Sequence, residues 1–361
     1  VAISRETLRR LLDLRRSVGG EADAAVRTLA AAWTRSWRGL AGGWQSAITD
    51  LVALAQRLER WPAPLQIARV SSVQSMLAAA EDELAALSTL TTSTVVDGAA
   101  TAIAATAAAE PAIIASQLPA DQAAELAASV AARILPAALD VIRTRATQAI
   151  VAQTRPLGAD AEQAMRRELI RGVRVGANPN EAARRMVAAV NGAFEGGLVR
   201  ATAIARTEML DAHRTASRYV HDANADVLQG WRWLSTLDRR GCSSCWSMHG
   251  RLFPLSQPGP WDHVQGRCVR LPAVKPWSEL GIDAPEPPDM IPDAQARFAE
   301  LPQVDRLAIM GRARLALLDA GHIEWDDLAV LRDNSGWRPT YQPRPVRDLQ
   351  RLADRRHRNA A

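Results

Sequence analysis

The stretch that decides the fold is residues 241–268, GCSSCWSMHGRLFPLSQPGPWDHVQGRC. It holds all three cysteines of a 361-residue chain, with two of its six histidines and two of its eleven tryptophans. Cys242 and Cys245 form a C-x2-C pair, and His263 and Cys268 follow a loop rich in Pro and Gly. Two thiolates two residues apart, closed by a later imidazole and thiol, supply the four soft ligands that tetrahedral zinc prefers. On spacing alone, metal binding and three reduced, buried cysteines are evenly balanced. A structural disulfide would leave an odd cysteine. A redox C-x2-C sits in a βαβ pattern, which the flanking sequence lacks.

Working outward, the period of the chain changes on either side of the cysteines. GWRWLSTLD (230–238) alternates, with Trp231 and Trp233 on one face of a strand, and HGRLFPL (249–255) reads as the returning strand. The cysteine stretch is therefore expected to be a β-hairpin with a long loop, mounted on the end of a helix over 199–224. Beyond Cys268 the chain loosens through LPAVKPW and DAPEPPDMIPD, a Pro-rich linker, before short helices and a basic tail.

The upstream half reads as Ala-rich helices. Only 4% of the chain is aromatic while 48% is apolar, which favours packed helices over a β-sandwich. Residues 1–62 read as two helices broken near Gly19-Gly20. Leu8, Leu11, Leu12 and Leu14 form an apolar stripe beside a solvated face of Arg9, Arg10, Arg15 and Arg16. Trp33, Trp37, Leu40 and Trp44 lie at helical spacing, as a helix–helix contact requires. Residues 71–132 carry no Lys or Arg, and their Thr/Ala tract (91–115) needs a partner to be stably helical. Further helices are expected over 135–154, over 159–176 ending at Gly176, and from Asn178 to Gly192. The last opens on a capping box of Asn178 and Glu181 around Pro179.

The fold class is thus mainly α with a small β-hairpin module (α+β). It divides into a helical region (1–155), a Cys/His knuckle module (156–275) and a loose Pro-rich C-terminal region (276–361). No run of eighteen apolar residues occurs, so no membrane span is expected. The opening residues lack a signal-peptide core, which implies a soluble protein made in a cytoplasm. The net charge is +5, carried almost wholly by Arg; Lys275 is the single lysine. This balance allows contact with nucleic acid, although a GC-rich genome, which encodes Arg and Ala by default, gives the same composition.

The runs ARTEMLDAHRTASRYVHDA, GWRWLSTLDRRGCSSCWSMHGRLF and DHVQGRC resemble the phage head-morphogenesis proteins typified by the F protein of phage Mu. The resemblance is carried by Ala205, Arg206, Thr207 and Glu208; Trp231 or Trp233; Asp238, Cys242 and Cys245; Gly250; and His263, Arg267 and Cys268. It covers about 160–270 well and the C-terminal part loosely. Three departures stand out. The family's closing C-x-C appears here as Gly266-Arg267-Cys268, Val264 replaces the proline after the histidine, and one extra residue separates Asp238 from Cys242.

The resemblance implies a structural minor capsid protein without catalytic residues. It would act in head morphogenesis beside the portal protein and other capsid components, in association with packaged double-stranded DNA. Its place would be the virion, inside the head near the portal vertex, after assembly in the host cytoplasm. A structural Zn2+ would be held by Cys242, Cys245, His263 and Cys268. Arg206, Glu208, Trp231, Trp233 and Asp238 would shape the module, with Arg206 and Glu208 tying the helix to the hairpin.

Two other classes compete. In an HNH-type nuclease, His263 after Asp262 would be the general base, but the downstream partners, His322, Asn334 and Asn359, are far off in sequence. In a zinc-ribbon DNA-binding module, Arg239, Arg240, Arg251 and Arg267 would contact phosphates.

Overall fold

The computed structural model describes residues 3–171, 179–334 and 337–360. The chain opens with α1 (Arg5–Arg57), the short α2 (Pro64–Ile67) and α3 (Ser71–Ala115). It continues through α4 (Ala120–Ala132), α5 (Pro136–Thr154), α6 (Leu157–Arg171) and α7 (Pro179–Asp222). The cysteine region then provides β1 (Leu228–Leu234), α8 (Ser243–Met248), β2 (Leu252–Pro254) and β3 (Val269–Val274). The C-terminal region adds α9 (Ala294–Ala299), α10 (Gln303–Met310), α11 (Arg312–Asp319), β4 (Ala329–Asn334), β5 (Trp337–Pro343) and α12 (Val346–Ala360). The mainly α class with a small β module is the one the chain adopts.

Two expected helix breaks do not occur. α1 passes through Gly19-Gly20 because its buried stripe continues through Leu11, Leu14, Val18, Ala22, Ala25 and Leu29. Two glycines cost about 2 kcal/mol against alanine, less than that burial returns. α7 likewise continues through Gly192. The helix end at Gly176 and the capping box of Asn178 and Glu181 fall outside the described residues.

Two compact units form: residues 1–19, 101–142 and 210–361 make one, and residues 20–100 and 143–209 the other. They cut across the expected segments 1–155, 156–275 and 276–361, because α1, α3 and α7 each contribute to both units. In the second unit the tryptophan stripe is a helix–helix contact. Trp33 and Trp37 meet Phe194 of α7 at ring-centroid distances of 4.9 and 5.2 Å, and Leu40 and Trp44 are buried. A Cβ on Gly98 of α3 would collide with the Met209 side chain, so the missing side chain is what lets α7 approach.

The Thr/Ala tract finds its partner inside the protein. Thr91 and Thr106 are buried, each hydroxyl donating to the carbonyl four residues earlier, so their polarity is absorbed by the helix itself. α3 is long and apolar enough to cross a membrane by length and composition alone. However, 56% of its most apolar stretch is buried in protein, and the helix carries the fully buried Glu110.

That glutamate belongs to a buried polar seam in the first unit. Arg270 donates from Nε to His221 Nδ1 (3.4 Å), which leaves the His221 Nε2–H to donate to Glu110 (3.1 Å). Burial raises the Glu110 carboxyl, but the His221 ring more than offsets this and holds it below its ordinary range. Arg270 also lies 4.3 Å over the Trp231 ring and donates to the Gly259 carbonyl (2.9 Å). His213, wholly buried beside it, donates from Nδ1 to Thr106 Oγ1 (2.7 Å).

Burial, partly offset by Glu110 and reinforced by Arg214 and His221, lowers His213 to about 4. Between pH 6.5 and 4 the unfolded chain therefore takes up a proton here that the folded chain refuses. Stability present at pH 7 should fall across that window, by about 3 kcal/mol at the acid end. Urea midpoints measured from pH 7 to 4 should fall less steeply in His213→Gln than in the parent. Parallel curves would remove His213 from the account.

The sheet of the cysteine region is three-stranded and antiparallel, in the order β2-β1-β3. β1 pairs with β2 through Trp231↔Phe253 and with β3 through Trp233↔Arg270. Residues 269–274, expected to be the start of a linker, are instead a strand buried along its whole length. Their sequence hides this, because a strand buried on both faces shows no alternation. Pro272 also reads as a breaker, but it is tolerated because β3 is an edge strand.

The C-terminal region is not loose. Phe298, Ile309, Met310, Leu315, Ile323, Leu328, Leu349 and Ala353 form a core with Leu237 and Trp246 of the cysteine region. The Pro-rich segment is also tied down: Met290 N–H donates to Ile3 O (2.9 Å), and Asp289 pairs with Arg232 (2.5 Å). β4 and β5 form an antiparallel hairpin that sequence reading did not separate from its surroundings.

Candidate metal centre

α8 explains why the C-x2-C pair converges. Cys242 is its N-cap residue and Cys245 lies in its first turn, so one helical turn brings the sulfurs to 3.4 Å. Cys245 Sγ also lies 3.3 Å from His263 Nε2. On a tetrahedral zinc with bonds of about 2.0–2.3 Å, donor atoms stand about 3.3–3.8 Å apart, so this triad has the spacing of a bound ion. The His263 Nδ1–H donates to Val264 O (2.9 Å), which leaves Nε2 as the coordinating atom.

Cys268 belongs to a second triad with Cys245 and Asp262, whose donor atoms lie within 4.8 Å of one another. The two triads share Cys245. The site thus offers five donors, the four expected from sequence and Asp262. Three soft thiols and an imidazole, mostly buried, are the chemistry of a structural zinc site, and the residues fit the ion.

The ionisable groups of the cluster shift one another in opposite directions. Hydrogen bonding with Cys245, then contact with the His263 ring, pulls the Cys242 thiol down to about 5 against the effect of burial. The same contact with Cys242 lifts His263 to about 10. Cys245, bonded to Cys242 and Cys268 and buried, is raised. The lowered Cys242 thiol shifts toward the ionised form in which a cation binds sulfur.

Arg214 of α7, 5% exposed, organises the loop that carries His263 and Cys268. It donates to Cys268 O (2.9 Å), Gly266 O (2.7 Å) and Asp262 Oδ2 (3.3 Å), and it is itself held by Asp211 (2.8 Å). Asp262 in turn accepts the backbone N–H groups of His263 (2.9 Å) and Cys268 (2.8 Å). The departure at position 266 has a physical counterpart here: a Cβ on Gly266 would overlap the Asp262 carboxylate. Ser235 completes the cradle, donating to Cys245 O and meeting Cys268 Sγ at 3.4 Å.

The module residues sort cleanly. Trp231 and Trp233 are buried against Cys245, Met248 and Cys268, with Phe253 stacked on Trp231 at 4.7 Å. Asp238 forms a two-pronged pair with Arg267, both contacts 2.7 Å, clipping the turn before Cys242 to the loop before Cys268. Arg206 makes an ion pair with Asp23 of α1 (3.2 Å), so it ties together two helices of the second unit. Glu208 is half-buried on α7.

Of the four candidate phosphate-binding arginines, Arg267 is engaged by Asp238 and Arg251 by Asp326 (2.8 Å). Arg239 and Arg240 are exposed. Arg15, expected on a solvated face, is largely buried within electrostatic reach of Cys268, Arg267 and Asp238. The groups that sequence reading missed are Arg214, Asp262, Arg15 and Ser235. The Asp262-His263 dipeptide was the one available signal, and it pointed to a nuclease motif. Of the downstream residues that such a motif would need, His322 packs edge-on against His357, and Asn334 donates to Arg338 O and Thr340.

α7 thus leads into a small three-stranded sheet, and a Cys/His cluster that could hold a metal ion lies between its strands. Residues 163–271 match the family described as Phage Mu protein F like protein. The match covers less than a third of the chain and shows what this segment is similar to. No curated protein and no solved structure shows significant similarity to the chain.

Proposed function

We propose that the chain is a structural minor capsid protein that acts in head morphogenesis beside the portal and performs no turnover. The observation that carries this reading is the coincidence of the family segment with the knuckle, whose donors converge inside a helical, contact-rich frame. A structural zinc there would cross-link the helix that carries Cys242 and Cys245 to the loop that carries His263. Placement inside the head, contact with packaged DNA and assembly in the host cytoplasm belong to the same proposal. The exposed Arg239 and Arg240 and the net charge of +5 favour the DNA contact.

Cys245→Ala tests it, since Cys245 is the donor common to both triads. Bound zinc should disappear, backbone amide exchange over 238–270 should rise, and particle yield in an assembly assay should fall. Normal particle yield from a variant without zinc would overturn the staple as a requirement for assembly.

A further inference from the structure

We propose that Asp262, and not Cys268, is the fourth ligand of a zinc-type divalent cation held by Cys242, Cys245 and His263. This rests on the reading of the knuckle as a metal staple and names the donor set within it. Asp262 Oδ1 stands 3.9 Å from Cys245 Sγ and 3.7 Å from His263 Nε2, close to the edge lengths of about 3.3–3.8 Å in a tetrahedral site. With the 3.4 Å Cys242–Cys245 and 3.3 Å Cys245–His263 separations, four of the six edges of such a tetrahedron are in place. Cys268 shares a triad with Cys245 and Asp262, and its sulfur also meets the Ser235 hydroxyl at 3.4 Å.

The carboxylate is prepared for the role. Asp262 is 1% exposed, and its Oδ2 is taken by Arg214 and the Cys268 N–H. Oδ1 accepts one backbone N–H, from His263, and lies 3.9 Å from Cys245 Sγ. The space that a side chain at Gly266 would fill belongs to this carboxylate.

Cobalt(II) loading of the full chain tests the proposal, because the intensity of the sulfur-to-cobalt charge-transfer band counts thiolate ligands. A two-thiolate intensity is expected in the parent, unchanged in Cys268→Ser and halved in Cys242→Ser. In zinc competition against a chelator, Asp262→Asn should lose about 100-fold or more in affinity, whereas Cys268→Ser stays within a few-fold. A three-thiolate intensity that drops by a third in Cys268→Ser would overturn the proposal and leave the staple standing. Absence of any cobalt band from a folded parent would overturn both. The parent spectrum decides the matter even where Asp262→Asn fails to fold.

Discussion

Arg214→Met should destabilise the first unit by about 3–5 kcal/mol, the range found when one member of a buried ion pair is removed. The substitution keeps the aliphatic bulk but leaves the Asp262 carboxylate, at 1% exposure, without its cation. It also strips the Gly266 and Cys268 carbonyls of a donor in a region sealed from water. Denaturant unfolding would give the magnitude. A thiol-specific reagent should meanwhile find Cys268, now 2% exposed, far more reactive. A loss below about 1 kcal/mol would mean that the loop over 262–268 is held by its own turns and not by α7. The double variant with Asp262→Asn should lose less than the sum of the single variants, because the stranded charge is gone.

Trp246→Ala should cost a similar 3–5 kcal/mol, through a cavity and not a charge. Trp246 is fully buried on α8, one residue after Cys245. Its ring meets Phe298 edge-on at 5.7 Å, and its indole N–H donates to Asp238 O (3.2 Å). One side chain thus joins the knuckle helix, the turn before it and the core of the C-terminal helices. Calorimetry should show a lower midpoint, and amide exchange should rise over 294–360 as well as around the knuckle. Exchange confined to 242–248 would show that the C-terminal core stands without the tryptophan. Loss of zinc in this variant without loss of the C-terminal core would separate the staple from the packing.

The elements read correctly from sequence are those with a short-range signature. Helical spacing placed the Trp33–Trp44 stripe, alternation placed β1 with Trp231 and Trp233, and the C-x2-C spacing placed Cys242 and Cys245 on one turn. Glycine was overvalued as a breaker at Gly19-Gly20 and Gly192, because the local cost of a glycine is small beside burial that continues past it. Proline was overvalued at Pro272, where an edge strand needs no N–H from that residue. Arg206 could not be given its partner, since Asp23 lies 183 residues away on α1.

What the sequence determined by itself is the class of the fold, the position of the knuckle and four of the five residues that could hold an ion there, all within 27 residues of chain. These follow from periodicity and spacing, which are properties of consecutive residues. Tertiary structure alone decided which donors share a site and what holds them. Arg214 reaches Asp262 across 48 residues, Trp246 meets a core that begins near Ala294, and the Asp262 carboxylate fills the volume left by Gly266. Each of these depends on the close approach of segments whose separation along the chain carries no local pattern. A buried charge or a missing Cβ acquires meaning only from the group that packed structure places beside it.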